Sequence, residues 1–105
     1  MLVYTQNDTS PSLQANLKDY QGNAINLNGC TVQFQMVSLD KTVEVVQPAT
    51  VQDAAAGLVQ YDWQPNDTST AGTYYVQFEI TYGDGAVETY PNNDKLTLII
   101  KPELT

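Results

Sequence analysis

Ala71-Gly-Thr-Tyr-Tyr-Val-Gln-Phe-Glu-Ile-Thr-Tyr82 sets Tyr74, Val76, Phe78, Ile80 and Tyr82 at every second position, with Tyr75, Gln77, Glu79 and Thr81 between them. A period of two, carried by aromatic and β-branched residues, marks a strand with one face against a core. As the most regular run in the chain, it is expected to be a central strand. Downstream, Gly83-Asp-Gly85 predicts a hairpin onto Ala86 to Tyr90, Pro91-Asn-Asn-Asp94 a further turn, and Leu96, Leu98 and Ile100 a last strand before Pro102. Upstream, Val59, Tyr61 and Trp63 form another inward row, and Trp63 carries the largest single apolar surface. Trp63 is therefore expected at the centre of the core, with an indole N–H that needs an acceptor there.

Two more alternating runs precede these. Cys30, Val32, Phe34 and Met36 alternate with Thr31, Gln33, Gln35 and Val37, and Leu13, Ala15 and Leu17 run into the glycine-containing corner Asp19-Tyr-Gln-Gly-Asn23. Thr42 to Val46 is β-branched, and the Pro48 that follows places it at a sheet edge. Asp53-Ala-Ala-Ala-Gly57 is too short to nucleate a helix and reads as a turn. About seven strands with regularly spaced turn signals make the expected fold an all-β, antiparallel β-sandwich in a single domain over residues 11–105. Residues 1–10 are expected to be an N-terminal extension or arm.

Composition narrows the function. Four basic and twelve acidic residues give a net charge of −8, the wrong sign for attraction to phosphate backbones or anionic lipid, so neither nucleic acid nor membrane is an expected partner. No apolar run approaches the length of a membrane span, and the first residues lack the basic and apolar regions of a secretory signal, so the chain is expected to be made in the cytosol. With Cys30 the only cysteine, an intrachain disulfide is excluded, and the absence of histidine removes the usual general base and the usual transition-metal ligand. No cofactor, no metal and no catalytic residue is expected.

Asp67-x-x-x-Ala71-Gly72-x-Tyr74-x-Val76-x-Phe78 resembles the corner leading into a core strand of immunoglobulin-like domains, where a tyrosine hydroxyl folds back onto nearby backbone. Val76 stands where antibody domains have a cysteine, so the resemblance implies an Ig-like sandwich without a disulfide. Four blocks in order carry a narrower likeness: Asp19 to Phe34, Ala56 to Trp63, Asp67 to Tyr74 and Phe78 to Asn92. Together they resemble the Ig-like domain at the N-terminus of phage upper baseplate proteins and of related small phage virion proteins. The resemblance implies a structural, non-catalytic component of a virion (tail, baseplate or head appendage) that works by contacts with other virion proteins, self-association among them. In that family a helical or fibre-forming extension follows the domain, whereas this sequence ends at Thr105, which leaves its place in the virion open.

Glu79, Asp84, Glu88, Asp94 and Glu103 read as turn residues and solvated outward positions rather than as a paired-carboxylate site. Asp84, Asn92, Asn93 and Asp94 could supply oxygen ligands to calcium, but hairpin chemistry accounts for them without an ion. Cys30 reads as a small buried hydrophobe. The candidate contact residues are tyrosines facing outward or on loops, Tyr4, Tyr20, Tyr75 and Tyr90, together with Leu2, Val3 and Ile99. Leu2 to Tyr4 has no evident place in the core, and the Leu96 to Lys101 strand has neither proline nor outward charge before its end, so these segments are expected to dock by strand addition or apolar packing. Removal of Met1 to Asn7 is accordingly expected to leave the stability of the domain nearly unchanged. A carbohydrate-binding sandwich is the alternative reading, weakened if the only tryptophan is buried.

Overall fold

The computed structural model describes residues 2–91 and 96–104, which form eight strands and no helix: β1 (Leu2–Thr5), β2 (Leu13–Asn16), β3 (Thr31–Ser38), β4 (Glu44–Asp53), β5 (Leu58–Tyr61), β6 (Gly72–Thr81), β7 (Val87–Tyr90) and β8 (Leu96–Lys101). The strand order is β1-β8-β6-β3-β4-β5-β2, with β7 also paired to β6. One layer holds β1, β8, β7, β6, β3 and the first half of β4, and the second half of β4 joins β5 and β2 in the other. Every pairing between these strands is antiparallel except that of β1 with β8.

β6 is central, as its alternation requires. Tyr74, Val76, Phe78 and Ile80 are buried, and the strand pairs with β3 along one edge and with β8 and then β7 along the other. The rows Val32, Phe34, Met36 and Val59, Tyr61, Trp63 are buried as well. Phe34 of one layer stacks on Tyr61 of the other at 4.0 Å between ring centres, and Trp63 meets both edge-on at 5.7 and 5.3 Å. Aromatic pairs of this kind hold the layers together by contact area and by quadrupole geometry. The Trp63 indole N–H finds no acceptor among the described residues, contrary to expectation; the indole packs edge-on to the rings of Tyr4, Phe34 and Tyr61.

Three local readings change. Leu2 to Thr5 is a strand of the sheet, paired in parallel with Leu98 to Lys101, so this segment is no free arm and β8 is no open edge. The pairing turns Leu2 and Tyr4 onto the core, Tyr4 edge-on to Trp63 at 5.0 Å, and leaves Val3 outside. Beyond β1 the chain stays attached: the Gln6 N–H donates to the Lys101 carbonyl at 2.8 Å and the Asn7 N–H to the Thr68 carbonyl at 2.9 Å, while the Thr68 hydroxyl donates to the Asp8 carbonyl at 2.8 Å. Second, β4 does not stop at Pro48. Its first half pairs with β3 alone, where a residue lacking an N–H is tolerated, and the strand then passes into the other layer to pair with β5. Third, Tyr90 pairs with Phe78 and therefore lies on the inner side, packed against the core.

The turn readings hold where they are described. Asp19, Asp40, Asp53, Asp67 and Asp84 each accept a backbone N–H of their own turn, from Gln21 and Asn23, Thr42, Ala56, Gln64 and Ala86 respectively. Gly57 has φ +67°, and a Cβ there would stand 2.5 Å from the Leu17 carbonyl oxygen, so only glycine fits beneath that strand end. The turn read at Asn92 to Asp94 lies outside the described residues.

Candidate docking surface

Outward positions on neighbouring strands fall into rows, because directly paired residues share a face. In the first layer one row runs Val3, Ile99, Thr73, and Leu39 extends it by donating its N–H to the Thr73 carbonyl at 3.3 Å. The next row is Thr97, Tyr75, Val37, Glu44, and the one after it is Gln77, Gln35, Val46. Val3, Leu39 and Val46 are exposed at 55%, 54% and 42%, and Ile99, Tyr75, Val37, Thr73 and Thr97 are half-buried. Among the described residues of these three rows, Glu44 is the one carboxylate and none carries an amine. In a chain with twelve acidic residues, a sheet face of valine, isoleucine, leucine, tyrosine, threonine and glutamine is a distinct surface.

The face is concave toward its middle. A groove of about 510 Å³ is lined there by Gln35, Val37, Val46, Tyr75, Gln77 and Pro91, with Lys41 and Glu44 also on its wall. Its floor is ordered by an amide ladder in which Gln77 donates to Gln35 at 2.5 Å and Gln35 donates to Gln33 at 2.9 Å. The first of these bonds crosses from β6 to β3 and the second runs along β3, and side chains tied in this way cost less entropy to cover than free glutamines would.

Of the seven candidate contact residues, the structure brings Val3, Tyr75 and Ile99 onto this face. It takes Leu2, Tyr4 and Tyr90 to the core side. Tyr20 is 77% exposed but sits in the Asp19 to Asn23 corner, at the opposite end of the molecule from the β6 start. Leu39, Val37 and Val46 were not anticipated. Val37 carried a readable signal as the apolar exception in the outward row of β3; Leu39 and Val46 became legible only through cross-strand register.

The remaining polar chemistry is committed to structure. The Tyr74 hydroxyl donates to the Thr70 carbonyl at 2.6 Å, the corner the sequence implied, and burial pushes its phenol above the ordinary value. Burial first, and then its hydrogen bond to Asp67, does the same for Tyr61. The Tyr82 hydroxyl donates to Glu88 at 2.5 Å, which with burial raises the phenol to about 12. Asp40 accepts the Ser38 and Thr42 hydroxyls and the Thr42 N–H, and these bonds lower its carboxyl to about 2. Hydrogen bonds from Ser12 and Gln60 lower Asp62 too. Cys30 is half-buried and sits within sulfur hydrogen-bonding distance of the Asn28 carbonyl. Among the described residues, no group of three or more acidic or thiol side chains gathers at metal-ligand spacing.

The class this defines is a disulfide-free, Ig-like β-sandwich with a hydrogen-bonded tyrosine corner, and a solved structure agrees on the fold. The chain is similar to CopC from Methylosinus trichosporium OB3b, with a TM-score of 0.58 at 13% identity, over 99% of this chain and 86% of that one. That likeness is one of fold alone. The model of the BppU N-terminal domain matches residues 2–99, and the chain belongs to that family, the N-terminal domain of the phage baseplate upper protein. It is a structural domain of a phage baseplate. No curated protein matches the sequence.

Proposed function

We propose that the domain is a non-catalytic adaptor that holds its place in the baseplate through the outer face of β1, β8, β6, β3 and β4. The observation that carries this reading is the uncharged, partly apolar face itself, where Val3, Ile99, Leu39, Val37, Val46 and Tyr75 adjoin on a molecule of net charge −8. Covering such a face removes apolar area from water without stranding charge, which is the composition of the buried centre of protein interfaces. The non-catalytic reading is supported by a sequence without histidine and by carboxylates that cap turns.

A glycan-binding reading has one observation in its favour, the amide ladder beside Tyr75 in the groove. The burial of Trp63 counts against it, since the best aromatic platform is enclosed. Ile99→Glu tests the adaptor reading. Its side chain faces outward, so the variant is expected to melt within a few degrees of the parent and yet to be lost from assembled particles. Tyr20→Ser, at the far corner, is the control and is expected to assemble normally. Normal incorporation of Ile99→Glu, or binding of glycans by the parent that Tyr75→Ala abolishes, would remove the reading.

A further inference from the structure

Resting on that reading, we infer that the occupant of this face is the same face of a second copy of the chain, related by a two-fold axis, with Lys41 of each copy set against Glu44 of the other. Three observations carry it. The first is self-complementarity: an isologous contact needs a patch that matches itself, so that where residue i meets j, residue j meets i. Lys41 and Glu44, of opposite charge, both line the groove wall and are exposed, and among the described residues neither is held in an ion pair or side-chain hydrogen bond. A two-fold axis through the groove exchanges them, so each copy offers the other one cation and one anion.

The second is where the charge is not. With twelve acidic and four basic residues, two copies repel each other over most of their surfaces. The uncharged rows from Val3 to Leu39 and from Thr97 to Val37 form a broad face on which approach adds no like-charge contact. A basic partner, by contrast, would be drawn toward the carboxylates of the loop ends, such as Asp19, Asp53 and Asp84, and would gain nothing from a neutral sheet face.

The third is shape. Sheets pack face to face at a spacing of about 10 Å when their facing side chains are short or lie flat. Here the facing residues are valine, threonine, isoleucine and glutamines laid down by the Gln77–Gln35–Gln33 ladder, with the half-buried Tyr75 among them and Leu39 at the end of the row. Five strands at about 4.8 Å spacing make the face about 20 Å wide, so each copy would bury only about 400 to 500 Å², which is the range of weak, reversible association.

Sedimentation of the purified chain between about 10 μM and 1 mM spans the affinities such an area supports. The average mass is expected to rise toward that of a dimer across this range. Lys41→Glu and Glu44→Lys are each expected to weaken association at least several-fold, the double variant Lys41→Glu/Glu44→Lys to return it to within about twofold of the parent, and an equimolar mixture of the two single variants to associate better than either alone. A chain that stays monomeric to the top of the range, or a double variant as weak as the singles, overturns the inference. Scoring incorporation of Ile99→Glu into particles alongside separates the two readings. A monomeric parent whose Ile99→Glu variant is lost from particles docks this face on a different virion protein, which overturns the second copy and leaves the adaptor standing.

Discussion

Tyr4→Ala tests whether the first strand belongs to the core. Tyr4 is half-buried, packs against the core cluster, and meets Trp63 edge-on at 5.0 Å. Truncating a fully buried aromatic costs about 3 to 5 kcal/mol, so a half-buried one costs about 2, and the lost ring pair adds about 0.5 to 1. Unfolding entropy of about 2.1 cal/mol/K per residue over 105 residues converts about 2.5 kcal/mol into a fall in Tm of about 10 °C. The same substitution uncovers one side of the only tryptophan, so thermal melts should be read beside the emission of Trp63, which is expected to move to longer wavelength in the folded variant. Val3→Ala, one residue away on the outer side of the same strand, is the control and is expected to change neither quantity appreciably. A Tm within about 2 °C of the parent with unshifted emission would refute the packing argument, since ring removal at a true core contact costs several times that. The expectation that Met1 to Asn7 can be deleted without cost is reversed by the same geometry: deletion strips β8 of its partner strand and removes the Gln6 and Asn7 backbone bonds.

Two further outcomes follow from single interactions. Tyr74→Phe keeps the ring and removes the 2.6 Å bond to the Thr70 carbonyl, so denaturant or thermal unfolding should show a loss of about 1 kcal/mol, since water can reach the freed carbonyl of an exposed residue. Asp40 has a folded pKa lowered from 3.8 to about 2, so its contribution is present above pH 3.8 and fades as pH falls toward 2; Asp40→Asn should melt below the parent at pH 7, with the gap closing between those two values.

What could be read from the sequence was local. β6 and β3 announce themselves through alternation, the corner at Tyr74 through its spacing from Asp67, and the turns through aspartate and glycine. β1 could not be read, because a four-residue strand held in parallel by residues 96 positions away has no local signature and because polar Gln6 to Ser10 follow it. Thr68 looks like a loop residue in sequence, yet its hydroxyl bonds to the Asp8 carbonyl, and this is what lets it sit buried at 1% exposure. Tyr90 was misplaced for want of register: only its pairing with Phe78 says which side of the sheet it takes. The docking face had the same difficulty. Its residues come from β1, β8, β6, β3, β4 and the loop after β3, and no single segment shows that their outward positions adjoin.

The parallel pairing of β1 with β8 has a mechanical side. Leu2 lies opposite Leu98 and Thr5 opposite Lys101, so tension applied through the start of β1 and the end of β8 pulls the two strands along each other rather than apart. The bonds between them, with the Gln6 to Lys101 bond at the far end, are then stretched together and not one after another. Rupture under load requires all of them to fail at once, which lowers the forced unfolding rate without any gain in equilibrium stability.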